Sequence, residues 1–518
     1  MHSQSTPYPR RWQALAVLSL SLFVVTVGNT ILNVALPTIR TELHAGSSQL
    51  QWIVDAYLLV FAGLLLTAGS LGDRFGRRRA LVVGLVVFAT GSAFAAVSDS
   101  ANALIASRAL MGLGAAGIMP TTLSILTNIF PPGERAKAIA AWAGVSGLGI
   151  AAGPVAGGWL LEHYSWNSIF LVNLPIIALV LVGIAALVPE SRDPAKPRLD
   201  LVGAGLSIAG LSAIVWGLIE APDRGWGSPA ILAAFAAGAA IMAVFVAWER
   251  RIDHPMLEVD VFRNLRFSAA SVSIAFLFFA LMGIVFLLTS YLQTVLGYDT
   301  FETGVRILPI AGGMIVASRL SVVIAGRAGT KIAVAGGLGT VALALAQFAT
   351  FGLDTGYGPI AAALTTLGLG IGLAMSPATD AIMGALPRAK AGIGSAMNDV
   401  VREVGGTLGV AVLGSILTSG YGTAMNDDVT SLPASAATTA TDSVGAAHEL
   451  AAQLGGPVGQ RLLEASNAAF VDSMATTATL AAVAAAVGAA IALVLLPARS
   501  KTERSPAGIE EAAEPAAA

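Results

Sequence analysis

The sequence predicts an all-α integral membrane protein with fourteen transmembrane helices, arranged as two pseudo-symmetric six-helix halves and an inserted helix pair. Of the 518 residues, 55% are hydrophobic and only 12% are charged, about half of the roughly 25% charged residues in an average soluble domain. Apolar runs of about 20 residues, long enough to cross roughly 30 Å of hydrocarbon, recur along the chain. Basic residues also concentrate on alternate connections between these runs, as the positive-inside rule requires.

Fourteen apolar runs meet the length criterion for a membrane span. They are predicted near residues 12–37, 52–72, 80–98, 102–125, 136–159, 168–188, 200–220, 230–248, 267–291, 303–323, 332–351, 359–386, 393–418 and 470–497. The run at 12–37 follows Arg10 and Arg11, but it is too long for a signal peptide and lacks a small-residue cleavage site, so it is assigned as the first span.

The distribution of basic residues orients these spans. With the N-terminus inside, most of the 29 Lys and Arg residues fall on inner connections. The exceptions are Arg40, Arg224, Arg306 and Arg461 on the outer side and Arg108, Arg319 and Arg402 within spans. This asymmetry predicts a multi-pass protein of the inner (cytoplasmic) cell membrane with both termini in the cytoplasm.

The spans divide the chain into four regions. Residues 1–188 form an N-terminal six-helix half, 189–266 two additional helices with flanking cytoplasmic loops, 267–497 a C-terminal six-helix half, and 498–518 a disordered tail rich in Ala, Glu and Pro. The C-terminal half includes a long outer connection, 419–468, in which a short surface helix is expected near 443–466. Paired six-helix halves are a common transporter architecture, with the substrate near the midplane between them.

Composition also excludes several functions. A net charge of −2 leaves no general basic surface for nucleic acid. The absence of cysteine excludes disulfides, thiolate metal sites and a cysteine nucleophile. The five histidines lie outside the spans, and no zinc-protease, membrane serine-protease or Walker motif occurs, so neither an intramembrane enzyme nor an ATP-driven pump is expected. No cofactor or metal is implied.

The inner turn after the second span reads GSLGDRFGRRR from Gly69 to Arg79. Glycines allow helix ends to approach closely and turn sharply, while the arginines hold the turn in the cytoplasm. A basic juxtamembrane loop accounts for the arginines but not for the whole string. The string resembles the signature of the major facilitator superfamily, which implies a role in conformational gating for Gly69, Asp73, Arg74, Gly76 and Arg77.

Two further strings extend this resemblance. Residues 104–112, LIASRALMG, are similar to the L-x-x-x-R-x-x-x-G motif of span four, which contains Arg108. Span five contains a Gly/Pro string similar to the motif that the superfamily associates with antiporters. Its glycines clear a helix face for close packing, and its proline permits a bend. The residues with an expected gating role are Gly149, Gly153, Pro154 and Gly157.

Four more segments resemble the 14-helix drug:proton antiporter branch: 29–37, 51–57, 170–175 and 394–398. The resemblance implies a secondary active transporter that exports an amphipathic drug or antibiotic in exchange for protons, by alternating access, as a monomer in the lipid bilayer. One position departs from the branch. Gly28 stands where an acidic residue is usual, two positions before Thr30. In the family that carboxylate is implicated with the span-four arginine in proton coupling and cation recognition.

Ionisable residues inside spans are costly, by roughly 2.5–3.5 kcal/mol each on insertion scales, so each is a functional hypothesis. Arg108 lies deep in span four, and Asp55 is its nearest carboxylate candidate on the outer side. In span thirteen, Asp399 and Glu403 share one helix face, with Arg402 one turn from Asp399. Two carboxylates in a low-dielectric cavity cannot both ionise cheaply, so one can carry a proton between the two aqueous sides. The structural alternative is a permanently neutral cluster that holds helices together.

Polar, aromatic and methionine side chains within spans are candidates for lining a substrate cavity: Asn33, Tyr57, Met119, Tyr291, Gln293 and Asn398. Taken singly, each can equally serve as an interhelical hydrogen bond, an interface anchor or ordinary packing. The sequence leaves a proton symporter or a facilitated carrier of a small metabolite open as an alternative, because Gly28 removes a usual proton site. An intramembrane enzyme is the remote alternative.

Overall fold

The computed structural model describes residues 8–45, 47–192, 200–426, 428–430 and 432–497. Across these ranges the chain folds into helices joined by short connections. Fourteen helical segments are long and apolar enough to cross a membrane. The fold class, an all-α protein with fourteen membrane spans, is therefore confirmed. The tail expected at 498–518 lies outside the described residues.

The first half contains six spans, the last of which is built from two consecutive helices. In chain order its helices are α1 (Arg11–Glu42), α2 (Ser47–Phe75), α3 (Arg77–Ala96), α4 (Ala101–Ile129), α5 (Pro132–His163), α6 (Ser168–Leu171) and α7 (Asn173–Leu187). The inserted pair follows as α8 (Leu201–Arg224) and α9 (Pro229–Glu249).

The second half begins after a short 3₁₀ helix, Val259–Arg263. Its helices are α10 (Leu265–Ser290), α11 (Thr300–Ile307), α12 (Pro309–Ala328), α13 (Thr330–Phe348), α14 (Tyr357–Gly384), α15 (Ala391–Met425), α16 (Ala434–Asp442), α17 (Val444–Leu454) and α18 (Gly456–Leu495). A π-helical turn, Tyr291–Val295, extends α10, and α11 with α12 makes the tenth span. Pro309 starts α12 because it cannot continue the hydrogen bonding of α11.

The outer connection between the last two spans differs from the prediction. Helix α15 runs on to Met425 and α18 already starts at Gly456, so the connection is shorter than the predicted 419–468. Helix α17 lies within the range 443–466 where a short helix is expected, and α16 precedes it. Gly455 and Gly456 adopt φ angles of 58° and 57°. Two consecutive left-handed residues cannot extend a right-handed helix, so α17 ends there and a separate helix begins.

The two halves repeat the same packing pattern. In the first half α1 packs on α5, and α4 packs on both α2 and α3. In the second half α10 packs on α15, and α14 packs on both α12 and α13. These pairs correspond when the six spans of each half are taken in order, as expected for pseudo-symmetric repeats.

Two sets of contacts join the halves along a seam. On one side α2 and α4 of the first half pack against α15 of the second, and on the other side α5 packs against α11, α12 and α14. The inserted pair lies beside this seam, where α8 contacts both α2 and α15. Helices α2, α4 and α15 position Asp73, Arg108 and Asp399, three of the charges discussed below.

Because the chain has no cysteine, single cysteines can test the orientation of the spans. Asp442 lies on a connection predicted to be outside and Asp253 on one predicted to be inside, and both side chains are exposed. We expect Asp442→Cys to react with a membrane-impermeant maleimide on intact cells, and Asp253→Cys to react only after permeabilisation. The reverse pattern, or labelling of both on intact cells, would contradict the orientation derived from the basic residues.

Candidate transport site

The inner end of the seam is closed by the carboxylate of Asp73 on α2. Its oxygens accept hydrogen bonds from the backbone N–H groups of Gly392 and Ile393, at 2.9 and 3.1 Å, at the start of α15. It also accepts one from Arg77 Nε at 2.8 Å. The free N–H groups and the dipole at a helix N-terminus favour an anion in this position. A carboxylate of the first half thus caps a helix of the second.

Arg77 completes this contact from the same half as Asp73. Its side chain is buried, and Nη2 donates to the carbonyl oxygen of Ala389 at 2.9 Å. The positive charge thereby balances the Asp73 carboxylate and also bonds a backbone carbonyl just before α15. Arg74, by contrast, lies over the ring of Phe75, 5.3 Å from its centre.

The glycines of this turn are required by close contacts. A Cβ at Gly69 would lie 2.6 Å from the carbonyl oxygen of Gly392 and 2.7 Å from the Cβ of Ala396, so a larger residue would push α2 and α15 apart. Gly76 has a φ of 117°, a conformation open to glycine but strained for other residues. The expected gating residues of this turn therefore lie at the seam or at the bend that leads into α3.

On α5, the glycines of the expected gating motif face α1. A Cβ at Gly149 would lie 2.9 Å from the Cβ of Thr26, and one at Gly157 would lie 2.9 Å from Cγ1 of Ile31. A Cβ at Gly153 would overlap the side chain of Thr30. Small residues at this spacing let the two helices approach closely.

Next to these glycines, α5 also contacts the second half. Pro154 lies inside α5. A Cβ at Gly304 on α11 would lie 3.1 Å from the Cβ of Pro154. Helix α5 is therefore packed between α1 of its own half and α11 of the other.

Arg108 is fully buried two turns into α4. Its Nε donates to the carbonyl oxygen of Ile53 at 3.1 Å, and Nη2 donates to Oδ1 of Asn29 at 3.2 Å. The guanidinium carbon lies 4.4 Å from the centre of the Tyr57 ring, in cation–π geometry. Asp55, the expected carboxylate partner, is half-buried on the same helix as Tyr57.

Two polar atoms of this group have no hydrogen-bond partner within the described residues: Nη1 of Arg108 and the hydroxyl of Tyr57. A buried, unsatisfied donor costs about 1–3 kcal/mol, and more when it is charged. The first half therefore presents donors at the seam that a ligand or a rearranged partner can satisfy.

The second charged group lies on α15. The carboxylate of Asp399 is 3.5 Å from Nη1 of Arg402 and accepts a long hydrogen bond, 3.4 Å, from Asn398. Asn398 in turn accepts one from Thr379 of α14 at 3.3 Å. The second carboxylate oxygen of Asp399 has no hydrogen-bond partner among the described residues. Glu403 is half-buried one turn further along the helix.

Arg402 also reaches across the seam. Its guanidinium lies 5.6 Å from the ring of Trp142 on α5 and 4.5 Å from the ring of Phe278 on α10. On the other side, Glu403 is within electrostatic range of Tyr57 on α2. The guanidinium of Arg402 thus contacts an aromatic side chain of each half.

Comparison with known proteins identifies the family. The family model described as Major Facilitator Superfamily matches residues 18–410, most of the chain. The chain belongs to the major facilitator superfamily. It is 38% identical to the multidrug efflux pump LfrA of Mycolicibacterium smegmatis over 93% of this chain and 95% of that protein. It is 35% identical to the tetracenomycin C resistance and export protein of Streptomyces glaucescens, over 93% and 91% of the two chains.

Solved structures support the same fold. The human organic anion transporter MFSD10 superposes with a TM-score of 0.60 over 92% of this chain and 100% of that chain, at 16% sequence identity. The proteins similar in sequence are efflux and resistance proteins. At the level of the superfamily, the chain is a membrane transporter rather than an enzyme.

The structure separates the expected cavity residues into two groups. Tyr57 and Asn398 belong to the charged groups at the seam, and Met119 is half-buried on α4. Tyr291 donates instead to the carbonyl oxygen of Gly352 at 2.7 Å, at the outer end of α10, and Gln293 lies in the same π-helical turn. The side chain of Asn33 lies outside the described residues.

Gly28 lies against side chains of α3 and α7. A Cβ at this position would lie 3.2 Å from the ring of Phe88 on α3 and 3.8 Å from the amide of Asn173 on α7. The superfamily branch usually has an acidic side chain here. In this chain the neighbouring residue, Asn29, supplies the α1 contact to Arg108.

Some of the residues that contact Arg108 and Arg402 were not identified from the sequence. Asn29 lies in a segment that resembles the antiporter branch, and an amide beside a glycine that replaces an acid is a usable signal for it. Trp142 and Phe278 gave no signal, because an aromatic residue in an apolar span looks the same whether it packs on lipid, on another helix or on an arginine.

We expect Asp73→Ala to destabilise the purified protein strongly. Removing one partner of a buried ion pair leaves an uncompensated charge, at a cost of about 3–5 kcal/mol, and here it also removes the cap on α15. The matched control is Asp260→Ala, whose exposed pair with Arg263 contributes about 0–1 kcal/mol. Thermal unfolding in detergent measures both variants. Equal unfolding temperatures for the two would show that the Asp73 contact does not hold the inner seam.

Proposed function

We propose that this protein exports amphipathic small molecules across the cytoplasmic membrane in exchange for protons, by alternating access. The observation that carries the proposal is the pair of charged groups at the seam. Arg108 and Tyr57 belong to the first half, and Asp399, Arg402 and Glu403 belong to the second. Binding of a proton or a substrate to either group therefore alters the interface between the two halves, which must open and close during transport.

The inner seam is suited to reversible opening. Asp73 and Arg77 are on the same half and keep their ion pair when the halves separate. The bonds that break are those from Gly392, Ile393 and the Ala389 carbonyl, and water can replace each of them. Opening the seam therefore replaces protein hydrogen bonds by hydrogen bonds to water, at a net cost of about 0.5–1.5 kcal/mol each. It does not separate the two charges of an ion pair.

The carboxylates of α15 are suited to carry a proton. With both ionised, Asp399, Arg402 and Glu403 bear a net charge of −1, and one bound proton makes the cluster neutral. A neutral cluster is less costly to bury in the membrane than a charged one. A proton taken up when the seam is open outward and released when it is open inward supplies about 2.3 kcal/mol per 100 mV of membrane potential.

The surroundings of these charges suit an amphipathic substrate. Tyr57, Trp142 and Phe278 provide aromatic faces, and Met119 provides a flexible apolar side chain nearby on α4. Such side chains can repack around ligands of different shape. Relatives named as efflux and export proteins for several drugs and antibiotics support this substrate class. Since one chain contains both halves, a monomer is sufficient, and the bilayer and the proton are the other partners.

One observation favours a second candidate. Gly28 stands where the antiporter branch usually has an acid, so a carrier that is not coupled to protons, or a symporter, remains the alternative. The two functions differ in whether the carboxylates of α15 are needed for uphill transport.

We expect the double substitution Asp399→Asn and Glu403→Gln to abolish proton-driven accumulation of a fluorescent dye in inside-out vesicles, lowering it at least about tenfold, because neither side chain can then exchange a proton. Energy-independent equilibration of the dye should persist. The matched control is Asp260→Asn at the exposed inner surface, which should accumulate dye normally.

Two results would contradict the proposal. If the double variant still concentrates dye in a pH-dependent manner, the proton is carried elsewhere. If the unmodified protein transports dye equally with and without a protonophore, the protein is a facilitated carrier and not an antiporter.

A further inference from the structure

A second pair of carboxylates lies at the cytoplasmic end of the inserted helix pair. It is separate from the charged side chains at the seam, Arg108, Asp399, Arg402 and Glu403, which are called the central charges below. Glu249 is the last residue of α9 and is only 3% exposed. Its Oε2 accepts a hydrogen bond from the backbone N–H of Leu257 at 3.1 Å. This bond folds the following loop, residues 250–258, back under the helix end, where Met256 and Leu257 are buried.

The other oxygen of Glu249, Oε1, has no hydrogen-bond partner among the described residues. It faces Asp200, the N-cap of α8. Asp200 itself accepts hydrogen bonds from the N–H of Gly203 at 2.8 Å and from the indole of Trp248 at 3.0 Å. Both carboxyl groups converge on Gly203, where a Cβ would lie 2.6 Å from Oε1 of Glu249 and would overlap Asp200.

Two ionised carboxylates so close together repel each other, and one shared proton removes the repulsion. The proton also gives Oε1 the hydrogen bond that it lacks. The ionisable group facing Glu249 is Asp200, while Arg250 and Arg251, next in the chain, have exposed side chains. Lys196 and Arg198 precede Asp200 in the sequence and lie outside the described residues.

The loop that Glu249 holds is connected to the inner seam. Glu258, the residue after Leu257, forms an ion pair with Lys390 at 2.7 Å. Lys390 directly follows Ala389, whose carbonyl accepts from Arg77, and directly precedes α15, whose first N–H groups bind Asp73. A short and continuous set of contacts therefore joins the carboxyl pair to the contact that closes the inner seam.

We propose that Asp200 and Glu249 form a proton-binding site on the cytoplasmic side, distinct from the central charges, whose bound proton keeps loop 250–258 docked and the inner seam closed. Loss of this proton at alkaline cytoplasmic pH separates the two carboxylates, releases the loop and weakens the Glu258–Lys390 pair. The inner seam then opens more readily. The proton at this site acts on conformation and is not carried across the membrane.

The test measures access to the loop and needs no substrate. The full-length protein in nanodiscs carries a single cysteine, either Met256→Cys at a buried loop position or Asp253→Cys at an exposed one. The rate of maleimide labelling at position 256 is divided by the rate at 253, which removes the intrinsic effect of pH on thiol reactivity. We expect this ratio to rise several-fold from mildly acid to mildly alkaline pH.

Glu249→Gln is the decisive variant, because the amide keeps the bond to Leu257 and stands in for the protonated acid. It should hold the ratio low and independent of pH. A ratio that does not change with pH in the unmodified pair, or that rises equally in Glu249→Gln, overturns the proposal. If Glu249→Gln does not fold, Asp200→Asn must give the same flat profile.

A control separates this site from the proposed antiport. Asp399→Asn alters the central charges but leaves Asp200 and Glu249 intact, so its labelling ratio should still rise with pH. A flat ratio in Asp399→Asn would assign the pH dependence to the central charges and overturn the separate site. Failure of proton-coupled transport leaves this measurement unaffected.

Discussion

A charge placed in a bilayer raises the free energy of the folded protein unless a partner or water reaches it, and this constraint organises the whole structure. The chain places three groups of charged side chains at the seam between the two halves. Asp73 and Arg77 close the inner end, Arg108 faces the seam from α4, and the Asp399 cluster faces it from α15. Within the first half, glycines let α1 and α5 pack closely.

The hydrogen bonding of the charges at the seam is incomplete. Arg108 has one guanidinium nitrogen and Asp399 one carboxylate oxygen without a hydrogen-bond partner among the described residues. A fully satisfied network would be more stable but would hold one conformation. A hydrogen bond from a proton, a substrate or the opposite half to one of these unsatisfied atoms would lower the free energy of the conformation in which it forms. The same reasoning applies to Glu249 at the cytoplasmic side, where an unpartnered oxygen is again next to a like charge.

Much of this architecture could be predicted from the sequence, because membrane spans have a minimum length and arginines mark the cytoplasmic side. The close contacts of the turn after α2 were also predictable, since an ordinary basic loop does not need the glycines and the aspartate of GSLGDRFGRRR. The contacts of Arg108 with Asn29 and the Tyr57 ring were not predictable. Contacts between spans depend on helix rotation, which an almost uniformly apolar sequence does not specify. Tyr291 illustrates the same limit, since its hydroxyl bonds a backbone carbonyl of its own half.

The central claim is that substrate and proton act on the same charges at the seam. The most direct measurement is proton release when a substrate binds to the purified protein in weakly buffered solution, using cationic, neutral and anionic amphipathic dyes at several pH values. We expect a transported dye to release protons, in an amount that falls to zero in the Asp399→Asn, Glu403→Gln variant. Saturable binding of a transported dye with no proton release at any pH would contradict it.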